Sequence, residues 1–180
     1  MKKIIMVAAI VCAAAFANAA AIGWTCAGLT GYSGNAYKFL VIGQNGVEST
    51  TQIAALLDAG SNIDSYAFGS GSVSATGTAN TLSGSSGKTL DPGTYTGFYV
   101  IFDKAAPVAG EANYALISGA TGLTQTFTAT KAAATFAAAN QSGFVGDASN
   151  WKSFGSVPEP TSGLLLLLGM AGLALKRKVA

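Results

Sequence analysis

Short apolar runs separated by turn-forming residues make up most of the chain between its two ends. The clearest runs are residues 37–42 (YKFLVI) and 94–102 (TYTGFYVIF), and residues 123–130 (LTQTFTAT) alternate apolar and polar positions. Runs of this length and period predict β-strands. Residues 113–118 are a further strand candidate, residues 65–73 form an alternating segment that its glycines weaken, and residues 135–138 and 143–145 are weaker candidates.

Turn-forming residues separate these apolar runs. Residues 44–46 (QNG) follow the first strong strand, and residues 90–93 (LDPG) precede the second. Both stretches are typical of tight turns. Residues 77–88 consist almost wholly of Gly, Ser, Thr, Ala and Asn and predict a loop. The Ala-rich residues 131–139 fit either a strand or a helix, because periodicity alone does not separate the two.

One segment has the pattern of a helix, near residues 50–59. Ser49 and Gln52 have the spacing of a capping box, and Gly60 stands where a helix C-terminus is expected. One helical face collects the apolar side chains of Ile53, Leu56 and Leu57. Several short strands and one helix predict a mainly β fold, an antiparallel β-sandwich or barrel-like domain with the helix packed on it.

The N-terminus has the three parts of a secretory signal peptide. Lys2 and Lys3 form a basic region, residues 4–16 are apolar, and Ala17 and Ala19 fill the small positions of an A-x-A cleavage site. The apolar run makes roughly 20 Å of helix, which is short for a hydrocarbon core of about 30 Å. We therefore expect export by the Sec machinery and cleavage by signal peptidase after Ala19.

The C-terminus combines three features that act together. Residues 157–160 (VPEP) hold two prolines, which disfavour helix and keep the segment extended. An apolar run at 163–175 predicts a short transmembrane helix, and the basic residues 176–178 predict a stop on the cytoplasmic side. The chain thus divides into a signal peptide at 1–19, a β-rich exported domain at 20–155 and a sorting tail at 156–180.

At these residues the tail resembles the PEP-CTERM family of bacterial sorting signals. The matching positions are the processing motif Val157, Pro158, Glu159 and Pro160 and the basic stop Lys176, Arg177 and Lys178. Lysines flank Arg177 where arginine is usual. The resemblance implies export, transient retention in the inner membrane and processing by an exosortase, a membrane transpeptidase-like enzyme, often in bacteria that make extracellular polysaccharide. It implies nothing about residues 20–155, because such tails occur on unrelated proteins.

Composition excludes several function classes for the exported domain. Residues 20–155 carry five lysines against seven acidic residues and no arginine, so they offer no footprint for nucleic acid and no basic face for a membrane. The chain has no histidine, which excludes Ser-His-Asp and Cys-His catalysis and histidine metal sites. Cys12 leaves with the signal peptide, so Cys26 has no disulfide partner within the chain. We expect it half-buried near a frayed terminus, ahead of the alternatives of a reactive thiol or an intermolecular link.

Two local patterns imitate ligand sites. Residues 84–89 (GSSGKT) imitate the end of a P-loop, but Leu82 stands where the first glycine is needed and no helix is expected afterwards. Asp58, Asn62 and Asp64 space oxygen atoms as in a calcium loop, but the final glutamate of an EF-hand is missing. We therefore predict a loop at the first pattern, turn residues at the second, and no metal or other cofactor.

The remaining alternative functions for the exported domain are the binding or the cleavage of sugars. Exposed aromatic rings stack on sugars, and five candidates lie outside the central strand: Trp24, Tyr32, Tyr37, Tyr66 and Trp151. A glycoside hydrolase needs two facing carboxylates, and no spacing singles out such a pair. We rank a structural, non-enzymatic cell-surface or matrix protein first, a glycan- or exopolysaccharide-binding module second, and a glycoside hydrolase-like enzyme third.

Overall fold

The computed structural model describes residues 20–75, 80–128 and 133–155. Within these ranges the chain forms nine β-strands, two short α-helices and one 3₁₀ turn at Ala148–Asn150. The strands are β1 (Ala20–Ala27), β2 (Ala36–Val41), β3 (Gly69–Ser72), β4 (Thr81–Leu90), β5 (Gly93–Phe102), β6 (Ala112–Ile117), β7 (Thr124–Phe127), β8 (Ala133–Ala138) and β9 (Trp151–Phe154). The helices are α1 (Thr50–Asp58) and α2 (Ser142–Gly146). The predicted mainly β class is confirmed.

The strands form two sheets. The smaller sheet has the order β4-β1-β8, in which β1 runs antiparallel to β4 but parallel to β8, with Trp24 opposite Phe136. The larger sheet has the order β3-β2-β5-β6-β9 and is antiparallel throughout, with Phe39 opposite Tyr99. Strand β7 pairs with the first half of β5. The parallel β1/β8 pair departs from the expected antiparallel arrangement, and the long chain between these strands supplies the crossover that parallel pairing requires.

The larger sheet is the middle of three layers. Successive buried residues of β5 point to opposite faces, as in any strand. Tyr99 and Ile101 belong to the apolar core shared with the smaller sheet, whereas Phe98, Val100 and Phe102 belong to the core under α1. This arrangement explains why residues 97–102 read as a continuous apolar run, because a strand covered on both faces has no polar side.

Helix α1 begins and ends where the sequence predicts. The Ser49 hydroxyl accepts a hydrogen bond from the Gln52 N–H at 3.1 Å. At the other end Gly60 has a φ of +71° and donates its N–H to the Leu57 carbonyl at 2.9 Å, which closes the last turn. Ile53 and Leu57 are fully buried against the larger sheet. The helix prediction is therefore confirmed in position, caps and buried face.

The predicted loop at residues 77–88 is wrong over most of its length, because β4 occupies Thr81–Leu90 and pairs with β1. Packing explains Gly84 in this strand, because a Cβ there would lie 2.6 Å from the Trp24 ring. Residues 84–89, which resemble the end of a P-loop in sequence, are part of this strand, so the loop predicted there is also wrong. The turn at residues 90–93 carries the chain from the smaller sheet to the larger one.

Other expectations have mixed outcomes. The Ala-rich segment forms strand β8, whereas the strand candidate at residues 143–145 lies in helix α2. Strands β1 and β9 have no counterpart among the predicted strands. In the part of the chain that the structure describes, no helix is both long and apolar enough to cross a membrane.

Candidate functional site

Every residue assigned to sorting by the sequence lies outside the described ranges. These are the signal-cleavage residues Ala17 and Ala19, the motif Val157, Pro158, Glu159 and Pro160, the predicted transmembrane helix at 163–175, and the basic stop Lys176, Arg177 and Lys178. The described chain ends at Gly155, one residue before the sorting tail. The functional geometry that the structure provides is therefore the junction between domain and tail.

Gly155 is fixed to the domain by hydrogen bonds on both sides of the chain. It follows β9, the edge strand of the larger sheet, and donates its N–H to the Leu57 carbonyl of α1 at 2.8 Å. One residue earlier, the Phe154 carbonyl accepts a hydrogen bond from the Gly110 N–H at 2.7 Å. The tail consequently leaves the domain from a defined point beside the C-terminus of α1.

Close packing at this point requires a glycine. Gly155 is buried with a φ of +65°, a conformation that side chains other than glycine rarely adopt. A Cβ there would lie 2.7 Å from the Cβ of Ala109 and 3.0 Å from the Cα of Gly60. We call this contact of Gly60, Ala109 and Gly155 the tail junction. Sequence reasoning missed this contact, because its three residues come from segments that meet only in the folded chain.

A groove of 390 Å³ lies beside the tail junction. Its apolar lining includes Phe102, Phe154, Pro107 and Val108. Val108 is 53% exposed, and no other large hydrophobic side chain in the described ranges is exposed. The groove therefore presents apolar surface next to the point where the tail begins.

The charged part of this groove is a single ion pair. Lys38 of β2 forms a salt bridge with Asp64. The hydrogen bond from Lys38 is the main cause that lowers the pKa of the Asp64 carboxyl below its usual value, with a smaller contribution from Asn62. The groove thus carries one positive and one negative group that compensate each other.

Each of the three calcium-loop candidates makes a hydrogen bond or an ion pair in the structure. Asp64 pairs with Lys38, and the Asn62 side chain accepts a hydrogen bond from the Asp64 N–H at 2.7 Å. The Asp58 carboxylate accepts a hydrogen bond from the Tyr114 hydroxyl at 2.7 Å. Burial, together with this bond, raises the pKa of Tyr114. These oxygen atoms hold turns and a helix end in place, as the sequence interpretation expected of Asp and Asn after a helix.

The five aromatic candidates for sugar stacking separate into three groups. Trp24 and Tyr37 are buried between the sheets, at 4% and 2% exposure. Tyr32 and Trp151 stack on each other, with ring centroids 4.8 Å apart and planes 15° apart, and both donate to the Val145 carbonyl. The half-buried Tyr66 packs against the core under α1. One pair of parallel stacked rings is therefore present, but each ring covers one face of the other, so that face is not available to a sugar.

A second groove, of 360 Å³, lies between α1 and the segment before β9. Tyr114, Leu116 and Phe144 supply apolar surface, and the polar lining residues are Thr50, Thr51, Ser149, Asn150 and Lys152. No sequence pattern indicated this groove, because its lining comes from three segments that meet only in the folded chain.

Cys26 is fully buried in β1, so the prediction of a half-buried residue near a frayed terminus is wrong. Its strand lies at the centre of the smaller sheet, and burial raises the pKa of the thiol to about 12. A neutral, inaccessible thiol is a core residue and a poor nucleophile.

The folded part and the tail together define a β domain joined directly to a C-terminal sorting signal. The family model of the PEP-CTERM protein-sorting motif matches residues 156–178, which are almost the whole tail. The resemblance drawn from residues 157–160 and 176–178 is thereby confirmed. The motif implies that the protein is exported and is processed by an exosortase-type membrane enzyme. No curated protein and no solved structure matches the chain.

Proposed function

We propose that this is a structural, non-enzymatic protein of the cell surface or extracellular matrix, which the tail holds in the inner membrane until the processing enzyme cuts it. The observation that carries the proposal is the PEP-CTERM match at residues 156–178, directly after a domain whose last residue is fixed at Gly155. In this proposal the domain is the part that is exported, and the tail is the signal that directs its sorting.

The use of the acidic side chains supports a structural role. Four carboxylates of the domain are bound to neighbouring groups: Asp58 to Tyr114, Asp64 to Lys38, Asp103 to Asn113, and Asp147 to Ser149. Each of these bonds stabilises a turn, a strand end or a helix end. Carboxylates occupied in this way are suited to holding loops, whereas general acid–base catalysis needs carboxyl groups free to face a substrate.

The tail acts through two separable properties. Residues 163–175 and the basic residues 176–178 retain the chain, because a short apolar helix followed by positive charge stops transfer on the cytoplasmic side. Residues 157–160 supply the chemical signal, and their two prolines, which fix φ and lack a backbone N–H, predict from the sequence that this stretch is not helical. Retention depends on length and charge, whereas processing depends on the identity of the motif.

Replacing Glu159 by Ala separates the two properties. The apolar run and basic stop are unchanged, so the variant should insert into the membrane but remain uncut. An unprocessed, membrane-held species should accumulate in the native host, scored by gel mobility and membrane fractionation. Glu48→Ala, the same change at an exposed position of the domain, is the matched control. If Glu159→Ala matures and distributes like the parent, the tail is only an anchor and the proposal is wrong.

A glycan-binding module is the second candidate, and the groove between α1 and the segment before β9 is the observation that favours it. Its polar lining of hydroxyl, amide and ammonium groups around Tyr114 has the chemistry that sugar hydroxyls bind. Co-sedimentation of the domain with the host's extracellular polysaccharide tests this idea. Lys152→Ala should weaken sedimentation, whereas Lys104→Ala, at another exposed lysine, should not. Equal sedimentation of both variants and the parent would remove this candidate.

A further inference from the structure

The tail junction leaves very little chain between the folded domain and the processing motif. Gly155 is held by the Leu57 carbonyl, and only Ser156 and Val157 separate it from Pro158. A fully extended chain covers at most about 3.6 Å per residue, so the three residues up to Pro158 span at most about 11 Å and the five up to Pro160 at most about 18 Å. An enzyme that binds this motif therefore also meets the surface of the domain around Gly155.

That surface is apolar and uncharged next to Gly155. Residues 105–110 (AAPVAG) carry no charge, and Ala109 of this loop packs against Gly155. Val108, at 53% exposure, and Pro107 line the groove together with Phe154. Val108 thus places an exposed apolar side chain at the rim of this groove, beside the residue from which the tail starts. We call Pro107, Val108, Ala109 and Phe154 the junction surface.

We propose that the junction surface docks onto the membrane-embedded enzyme that processes the tail, so that the enzyme binds the folded domain and the motif together. This inference rests on the proposed function and adds a second binding contact to it. Two linked contacts raise the effective concentration of the motif at the enzyme, because binding of the domain makes binding of the motif intramolecular.

The bilayer surface is the competing occupant, and the charges disfavour it. Attachment to anionic lipid requires a cluster of basic residues or a large apolar face. At the groove Lys38 is neutralised by Asp64, and Val108 is a single aliphatic side chain. An enzyme held at Pro158–Pro160 by the short tether does not need such features, because the tether already brings it to the junction surface.

Val108→Asp in the full-length chain tests the proposal in the native host. Placing a charge in the contact should slow tail removal about fivefold or more, which corresponds to about 1 kcal/mol of lost binding. Ser85→Asp adds the same charge at an exposed position on β4 and should be processed at the parent rate. Pulse-chase labelling measures both rates. Parent-like processing of Val108→Asp would overturn the inference.

A second variant leaves the fold and the junction surface intact. Inserting about 20 Gly/Ser residues between Gly155 and Ser156 uncouples the two contacts, because effective concentration falls steeply once a linker exceeds the span it must cover. The insertion should slow processing to the level of Val108→Asp, and Val108→Asp should then have no further effect. Unchanged processing after the insertion would also overturn the inference.

The outcomes separate this inference from the proposed function. If Glu159→Ala blocks processing and Val108→Asp does not slow it, the sorting signal stands and the docking surface does not. If Glu159→Ala is processed normally, the proposed function itself fails. If Val108→Asp loosens the membrane association of the uncut Glu159→Ala species, the junction surface binds lipid and the enzyme-docking inference is overturned.

Discussion

The indole of Trp24 in β1 donates a hydrogen bond to the hydroxyl of Tyr37 in β2 across the gap between the two sheets, at 3.1 Å. The Tyr37 hydroxyl in turn donates to the Ser83 carbonyl of β4 at 3.1 Å. The indole also stacks on Phe39, with ring centroids 5.0 Å apart. Two large aromatic side chains therefore bury their apolar bodies between the sheets while the polar group of each has a partner.

Removing the Tyr37 hydroxyl should destabilise the domain more than the loss of a single oxygen atom suggests. Tyr37→Phe leaves the buried Trp24 N–H without its acceptor, and an unsatisfied buried donor costs about 1–3 kcal/mol. Urea denaturation followed by tryptophan fluorescence measures the loss in the free energy of unfolding. Tyr66→Phe, at a half-buried tyrosine, should change stability by much less. Equal effects of the two variants would contradict this view of the Trp24–Tyr37 bond.

The Trp24 ring fits between two glycines, one in β3 and one in β4. A Cβ on Gly69 would overlap the ring, and a Cβ on Gly84 would lie 2.6 Å from it. We expect Gly69→Ala and Gly84→Ala each to cost about 1–3 kcal/mol, the usual range for overpacking a well-filled core. Thermal or chemical denaturation measures the loss. Gly143→Ala is the control, because a Cβ there meets no atom within 4 Å.

Alkaline pH should destabilise the domain from about pH 9 upward. Burial raises the pKa of Cys26 from 9.0 to about 12, so the folded state keeps the proton after the unfolded state has lost it. Burial likewise raises the pKa of Tyr99. A raised folded-state pKa contributes stability that is fully present below the unfolded pKa and is lost as pH rises towards the folded pKa. Free energies of unfolding between pH 7 and 11 should fall, and Cys26→Ala should flatten the decline. A pH-independent profile for the parent would contradict this expectation.

The Cys26 thiol should resist alkylation in the folded domain. The side chain is fully buried, and the reactive species is the thiolate, which burial disfavours. Maleimide labelling should be slow under native conditions and rapid in denaturant, as followed by mass spectrometry. Rapid labelling of the native domain would show that β1 opens readily.

Neutralising the basic stop should have the opposite effect to Glu159→Ala. Replacing Lys176, Arg177 and Lys178 together by Gln removes the positive charge that keeps the tail end on the cytoplasmic side. Retention should weaken, and part of the protein should leave the membrane uncut. Membrane fractionation and gel mobility of the released species measure this escape. Complete retention of the neutral variant would show that the apolar run alone holds the chain.

The sequence predicted the elements whose signals are local. Strands β2, β5 and β6 are dense in apolar residues, and α1 carries its own caps. Strand β4 was missed because its Gly and Ser residues are typical of loops. Gly84 stands in the strand because the Trp24 ring needs the space, and Trp24 lies 60 residues away, so local composition does not reveal that contact. The sorting tail was identified because it is a linear signal, whereas the grooves and the tail junction exist only once distant segments meet.

The central place of β1 in the smaller sheet imposes an order of events on secretion. If signal peptidase cuts after Ala19, β1 is the first segment of the mature chain to emerge, yet its parallel partner β8 begins at Ala133. The Tyr99 hydroxyl, 2.8 Å from the carbonyls of both Thr25 and Phe136, likewise needs both strands present. Such distant pairing forms slowly. One edge of β1 can pair with β4 once Leu90 has crossed, but its other edge stays unpaired until Ala133–Ala138 have crossed. The smaller sheet is therefore completed only when most of the domain is on the far side of the membrane.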